Sequence, residues 1–243
     1  MSWLIFCLEI VAFAYAVPPI VPHAEETLKV DLQKLLPIAS VFSKHTNVDE
    51  LVGASYKCVD GVNNVIEVGN AKGNLRIQAK DVTLQTYDKD GNPSCYKGNA
   101  QIAIPGKIKI MNGTVVVTAP SSQLFESLES RLTLAKNSFF VGTVCKDGKE
   151  NSMLLPKGSC GQDLSSKDRL FYITRRLSTP GTYTIQEMIR LLYMKMTIEL
   201  ESLNGALKFG VDGEWKAALS LFSEGQEVAA LKFPSNTEWV HVD

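Results

Sequence analysis

Short segments in which apolar and polar residues alternate, separated by turn-forming residues, fill this chain from Ser55 to its end. Such alternation is typical of strands with one buried face. In the segment 75–87 the alternation continues past Ala79 with a shift of phase at Val82. Many short strands with turn signals between them predict a mainly β fold, either a β cup or a two-sheet β sandwich with an apolar interior.

The clearest segment is GEWKAALSLFSEGQEVAALKF, residues 213–233, which predicts a hairpin. Its turn lies at Ser223-Glu224-Gly225-Gln226, between two apolar arms. We place Trp215, Ala217, Leu219 and Leu221 on one face, and Ala218, Phe222, Ala229, Leu231 and Phe233 on the other. Both predicted faces are therefore apolar, which raises the question of what the second face covers.

Three other segments carry local predictions. Asn112-Gly113 predicts a tight turn between a strand at 101–110, which Pro105-Gly106 interrupts, and a return strand at 115–119. The segment RLFYIT, residues 169–174, has strand character. After Gly181, helical spacing of apolar residues up to Leu192 gives way to alternation from Met194 to Leu200, which predicts a short helix or irregular arm leading into a strand.

The first 54 residues divide into two regions. Residues 1–16 are apolar and end in Ala14-Tyr15-Ala16, which predicts a cleaved signal peptide. A membrane anchor is the alternative, but the segment is short for a span of roughly twenty residues. Residues 17–54 form an N-terminal extension with leucines at helical spacing, which fits a propeptide, a partner-binding helix or a loosely packed extension. The β domain then occupies residues 55–243.

Four cysteines remain once Cys7 leaves with the signal peptide: Cys58, Cys95, Cys145 and Cys160. An even number in a secreted chain predicts two disulfides, for which three pairings are possible. A zinc site is the competing interpretation, but the spacings are wide and no CxxC motif occurs. We therefore expect disulfides and no metal.

The charged and titratable residues exclude several classes of function. A net charge of −1 argues against a nucleic-acid partner, which would require a basic surface. The three histidines lie at 23, 45 and 241, in the extension and the tail, so a Ser-His-acid or Cys-His mechanism has no base in the β domain. Glu199 and Glu201 are the remaining candidates for a two-carboxylate hydrolase. Solvent-exposed strand positions explain them better, and we predict no catalytic residue and no cofactor.

Asn112-Gly113-Thr114 is an N-glycosylation sequon. It lies on a predicted exposed turn of a chain with a predicted signal peptide. We therefore predict a glycan at Asn112, although an Asn-Gly turn alone would also explain these residues.

Several short motifs, in order along the chain, resemble the ganglioside GM2 activator family. They are SYKC at 55–58, IAIPGKIKI at 102–110, the Cys145 to Cys160 segment, GTYTI at 181–185 and the hairpin at 213–233. The family's last strand carries a cysteine, whereas this chain has Val228-Ala229-Ala230-Leu231 there. The resemblance implies that Cys145 pairs with Cys160, and it leaves Cys95 as the partner of Cys58.

The resemblance also implies a function, because that family, related in outline to MD-2-like lipid-recognition domains, holds lipids in a β cup and performs no covalent chemistry. We therefore predict a secreted or lysosomal protein that binds or transfers a lipid, with transient membrane contact and an enzyme or receptor as possible partners. The predicted cup wall consists of Ile104, Ile108, Ile110, Val116, Val141, Phe171, Ile173, Met196, Ile198, Leu219 and Leu221. The predicted flexible rim consists of Met188, Leu191, Leu192 and Met194. The alternative is an extracellular structural or interaction protein in which the same side chains fill the core.

Overall fold

The computed structural model describes residues 57–120, 127–152, 155, 157–164, 171–191, 195–202 and 210–243, with the backbone alone for residues 171 and 172. The predicted signal peptide, the predicted extension and the first two residues of the predicted β domain lie outside the described residues. From Cys58 onward the described residues belong to one compact unit.

The described residues form a mainly β structure, as the sequence predicts. Its elements, in chain order, are β1 (Val65–Asn70), β2 (Ile77–Asp88), β3 (Cys95–Tyr96), β4 (Asn99–Ile102), β5 (Gly106–Val117), β6 (Glu129–Lys136), β7 (Thr143–Lys146), β8 (Lys149–Glu150), β9 (Gly161–Asp163), α1 (Phe171–Leu177), β10 (Gly181–Thr184), α2 (Ile185–Leu191), β11 (Thr197–Leu200), β12 (Gly213–Ser223), β13 (Gln226–Phe233) and β14 (Val240–Val242).

Two layers of strands face each other and join along one side. We call the layer of β1, β2, β5, β10 and β11 the first sheet, and the layer around β13, β12, β6 and β14 the second sheet. Strand β1 pairs with β2 in the first sheet and with β13 in the second, so it connects the two. The ladder does not close on itself among the described strands, which fits a sandwich or an open cup.

The phase shift at Val82 is confirmed as a β-bulge in β2. Lys80 lies opposite Thr114 and Thr83 lies opposite Asn112, so the register changes between them. Asp81 adopts a positive φ of 51° there. As a result Ala79, Val82 and Leu84 are all buried, although strict alternation would place Val82 on the other face.

The predicted turn at Asn112-Gly113 is wrong. Both residues lie inside β5, which runs without a turn from Gly106 to Val117. Gly113 has a φ of 131°, and a Cβ added to it would lie 2.4 Å from Cγ2 of Val82. Glycine is required here because β2 approaches closely at its bulge, so the Asn-Gly signal marks crowding and an unusual backbone angle rather than a chain reversal.

The predicted hairpin at 213–233 is confirmed, but the assignment of its faces is wrong. Its two-residue turn has positive φ at both Glu224 and Gly225 (51° and 75°), as a primed hairpin turn requires. Leu219 lies opposite Leu231, and directly paired residues share a face. Ala229, Leu231 and Phe233 therefore face the interior together with Ala217, Leu219 and Leu221.

Charged side chains cover the outer face of this hairpin, which answers the question that its sequence raises. The Arg131 guanidinium lies 3.9 Å from the centre of the Phe222 ring. Glu227 accepts a hydrogen bond from the Ser220 hydroxyl and pairs with Lys72 at 2.5 Å. The outer face thus carries charged side chains over small and aromatic residues, and Ala230 on this face is buried beneath them.

Strand β5 pairs with β2 along one edge and with two short strands, β10 and β11, along the other. β10 pairs with residues 114–117 of β5 and β11 pairs with residues 106–109, while α2 connects the two in sequence. We call the segment β10–α2–β11 the arm. The predicted change from helix to strand in this segment is confirmed.

The strand predicted at residues 169–174 is wrong, because residues 171–177 form helix α1. Ile173 and Leu177, one helical turn apart, are both buried against the rest of the protein. Thr179 and Pro180 follow the helix, and proline at this position prevents its continuation.

Both predicted disulfides are present. Cys58 pairs with Cys95 and Cys145 pairs with Cys160, with Cα separations of 5.7 Å and 5.6 Å. Two disulfides are typical of a protein that folds in an oxidising compartment. None of the helices in the described part of the chain is long and apolar enough to span a membrane.

Candidate functional site

The apolar interior between the two sheets is the candidate site. The first sheet contributes Ile66, Leu84, Ile108, Ile110 and Ile198, and the second contributes Leu132, Leu134, Leu219, Leu231 and Phe233. These side chains belong to one continuous cluster, and each is at most 8% exposed. Apolar and polar residues alternate along the long strands, so each strand turns one apolar face inward and the cluster forms between them. These strands are β2, β5, β6, β12 and β13.

Six of the predicted wall residues meet in this cluster. Ile108, Ile110, Ile198 and Leu219 are buried in it, while Ile104 and Met196 are partly buried and pack against it. The pairing of β11 with β5 brings residues of the two strands together. Ile198 lies opposite Ile108, and the Ile110 amide donates a hydrogen bond to the Met196 carbonyl at 2.8 Å. The arm thus brings its own apolar residues to the same interior as β5.

A second cluster holds two further wall residues and part of the predicted rim. Ile173 and Leu221 are buried in it, and so is Met188, which is 5% exposed. Leu191 is partly buried against the same cluster. Met188 is therefore a core residue of α2 and not part of an exposed rim. The Phe171 side chain, Leu192 and Met194 lie outside the described residues.

Val116 and Val141 do not join the interior as predicted. The register of β5 shifts beside Met111, so the inward positions change from Ile108 and Ile110 to Val115 and Val117. Val116 consequently lies on the opposite face of the sheet. Val141 lies in the loop between β6 and β7, where it is 42% exposed.

The most exposed apolar residues of the described chain were not among the predicted site residues. Phe139 and Phe140, in the loop beside Val141, are 99% and 94% exposed. The sequence does contain a signal for them, because two adjacent aromatic residues between Ser138 and Gly142 cannot both face inward from one strand.

The C-terminal segment is a strand rather than a tail. β14 pairs with β12 and, in parallel, with β4, which places His241 inside the folded domain. Its ring stacks on Tyr96 with the centroids 3.8 Å apart, and its Nε2 lies 3.9 Å from Oδ1 of Asp212. Its Nδ1 is buried without a hydrogen-bond partner.

The other candidates for chemistry lie on exposed positions. Glu199 faces outward from β11 and Glu201 follows that strand, and both side chains are exposed. Within the described residues, no group of three or more His, Cys, Asp or Glu side chains is arranged to hold a metal ion.

A pocket of about 270 Å³ lies beside the β12–β13 turn. It is lined by Ser127, Leu128, Glu129, Asp163, Phe222, Glu224 and Gly225. Hydrogen bonds from Arg131 lower the pKa of Glu129, which therefore stays ionised at neutral pH. Three carboxylates make this pocket unsuited to an acyl chain.

The sequon residue Asn112 is exposed on β5. The Thr83 hydroxyl donates a hydrogen bond to its side-chain oxygen. A glycan at this position would point away from the interior, because the register shift beside Met111 places Asn112 on the outer face although Ile110 faces inward.

The lysine and arginine side chains near Glu227 fix the charge of the outer hairpin face. Burial raises the pKa of Glu227, but hydrogen bonds from Lys72 and Ser220 and the charges of Lys72 and Arg131 outweigh it, and the pKa falls below its usual value. The carboxylate is thus held in its ionised form, which keeps this face polar.

Comparison with known proteins adds no assignment to these observations. No protein-family model matches the chain. No curated protein matches it either.

Proposed function

We propose that this chain is a secreted or lysosomal, non-enzymatic lipid-binding or lipid-transfer protein, which holds an acyl chain between its two sheets. The observation that carries the proposal is the continuous apolar interior to which both sheets and the arm contribute. An acyl chain of roughly fourteen to sixteen carbons that leaves water would gain about 10 kcal/mol before the costs of ordering and association.

The arm supplies a route into this interior. Among the described strands, β10 and β11 pair only with β5, so the arm can separate from the sheet without breaking another ladder. Ile185 and Ile189 of α2 pack into the same cluster as Ile198 of β11. Movement of the arm would therefore expose the apolar interior while the second sheet stays intact.

The second candidate is an extracellular structural or interaction protein with a filled core. One observation favours it: the interior side chains already contact one another in a tightly buried cluster. In that case the interior only stabilises the fold, as close packing does in most domains.

Native mass spectrometry of the gently purified protein distinguishes the two candidates. A lipid-binding protein should carry an added mass that organic extraction removes and that incubation with lipid vesicles restores. A protein that carries no added mass and takes up none from vesicles would contradict lipid binding and support the filled core.

Glycosylation at Asn112 belongs to the same proposal, because it requires passage through the secretory pathway. We expect enzymatic removal of N-glycans to lower the mass of the protein expressed in animal cells, and Asn112→Gln to abolish that shift. A shift that persists in Asn112→Gln would place the glycan elsewhere, and the absence of any shift in the wild-type protein would contradict the modification.

A further inference from the structure

The loop of residues 137–142, between β6 and β7, presents its aromatic side chains to solvent. Phe139 and Phe140 are almost fully exposed, and their rings contact edge to face with centroids 5.6 Å apart. Val141 extends the apolar surface. Ser138 to Gly142 contains no charged residue. Exposed apolar surface of this kind marks a site of interaction.

Hydrogen bonds within the loop pair several of its backbone groups on either side of the two aromatic residues. The Lys136 amide donates to the Gly142 carbonyl at 2.9 Å, and the Gly142 amide donates to the Ser138 carbonyl at 2.9 Å. The Ser138 amide donates to the Lys136 carbonyl at 2.8 Å, and the Ser138 hydroxyl accepts from the Val141 amide at 3.4 Å. A loop closed on itself in this way leaves water at lower cost than an open one, because these backbone groups keep their partners.

The base of the loop is fixed to the start of β12. The Asn137 amide donates to the Glu214 carbonyl at 2.8 Å, and its side-chain nitrogen donates to the Glu214 carboxylate at 2.6 Å. The Lys136 ammonium donates to the Gly210 carbonyl at 2.9 Å. These contacts hold the base of the loop on the second sheet.

We propose that this loop inserts Phe139 and Phe140 into the interfacial region of a lipid bilayer. Three neighbouring side chains at a loop tip are too few for a stable protein partner, which needs roughly 800 Å² from each side. A bilayer requires no matching surface, and aromatic rings are favoured at its interface. The inference rests on the proposed lipid-binding function, and it assigns membrane contact to this loop instead of to residues 188–194, where Met188 is buried.

The test is flotation of the full mature protein with vesicles of phosphatidylcholine alone and with added phosphatidylserine. We expect F139S/F140S to reduce the vesicle-bound fraction at least about tenfold, because two large apolar surfaces are lost. F139W/F140W should retain binding, since tryptophan also favours the interface. The control is Val62→Ser, which removes another exposed apolar side chain, 67% exposed, outside the loop. Circular dichroism confirms that each variant is folded.

Similar binding to both vesicle types is expected, because the tip carries no charge. Unchanged binding by F139S/F140S, or no binding by the wild-type protein, would overturn the inference. A wild-type dimer that F139S/F140S converts to a monomer would also overturn it, since the loop would then contact a second copy of this chain. Native mass spectrometry of F139S/F140S separates this inference from the proposed function: a variant that still carries lipid but no longer binds vesicles supports both, whereas lipid carriage with unchanged vesicle binding sinks the inference alone.

Discussion

At position 113 the structure has no room for a side chain. A Cβ on Gly113 would lie 2.6 Å from Cα of Val82, inside the bulge of β2, and the φ of 131° is itself unfavourable for other residues. We expect Gly113→Ala to lower the free energy of unfolding by roughly 2–4 kcal/mol in urea denaturation.

Gly73→Ala is the matched control for that substitution, because nothing lies within 4 Å of a Cβ there. Its effect should stay within about 0.5 kcal/mol. Equal stabilities of the two variants would show that β2 and β5 do not approach as closely as described. The sequon at Asn112 survives in Gly113→Ala, so the variant does not remove the predicted glycan.

Glu227 gives the outer hairpin face a dependence on pH. Its pKa in the folded protein is lower than in the unfolded chain, because hydrogen bonds from Lys72 and Ser220 and nearby positive charges outweigh the opposing effect of burial. The stability that it contributes is therefore present above the unfolded pKa and is lost as the pH falls through the folded pKa.

We expect Glu227→Gln to cost roughly 1 kcal/mol at about pH 7, a modest value because Lys72 is largely exposed. The difference between wild type and variant should shrink towards about pH 3, below the ordinary pKa of glutamate. Urea unfolding at both pH values measures it. A difference that grows on acidification would contradict the assigned charge state.

At the scale of elements, helix α2 completes the interior that β10 and β11 leave open. Ile189 is 2% exposed and belongs to the main cluster, whereas its neighbour Arg190 is exposed. We expect Ile189→Ala to lower the free energy of unfolding by about 2–5 kcal/mol and Arg190→Ala to change it by less than about 0.5 kcal/mol. Thermal and urea unfolding compare them. Equal effects would mean that α2 does not bury this face.

The elements that could be predicted from the sequence are those with a complete local signal. The β12–β13 hairpin has two alternating arms and a turn that accepts positive φ, and β2 shows its bulge as a change of phase at Val82. Helix α1 was missed because Phe171, Tyr172 and Ile173 favour strands locally, while the burial of Ile173 and Leu177 that selects a helix depends on distant residues.

The candidate site could be predicted only in part, for a related reason. Ile108, Ile110, Ile198 and Leu219 were correctly expected to share one interior, because each lies in a regularly alternating segment. Val116 was assigned to the wrong face because a register shift beside Met111 depends on β2, the neighbouring strand. The sequence of β5 alone does not show where this register shift lies.

At the scale of the whole molecule, the question is whether a lipid can bind in the interior between the two sheets. Leu219 is 3% exposed and lies between Leu132 and Leu231 on the neighbouring strands. If the interior holds lipid, we expect Leu219→Trp to occupy that space, so that lipid uptake in native mass spectrometry falls while folding survives. If the core is filled, overpacking should lower the free energy of unfolding by roughly 1–3 kcal/mol.

Lys232→Trp is the control for bulk alone, since Lys232 is exposed on the outer face of β13. It should change neither lipid uptake nor stability appreciably. Loss of stability in Leu219→Trp, from a parent that never takes up lipid, would refute the lipid-binding proposal.

The pairing of β1 with β13 also determines when the protein can complete its fold during synthesis. Gly69 pairs with Lys232, so β1 leaves the ribosome long before its partner exists. At about 5–20 residues per second, the wait is roughly ten to thirty seconds. Throughout that time β1 has a bare edge, which offers a template for pairing with another nascent chain. Crowded synthesis would therefore favour exchange of the β12–β13 hairpin between two copies, and the yield of monomer should fall as the rate of expression rises.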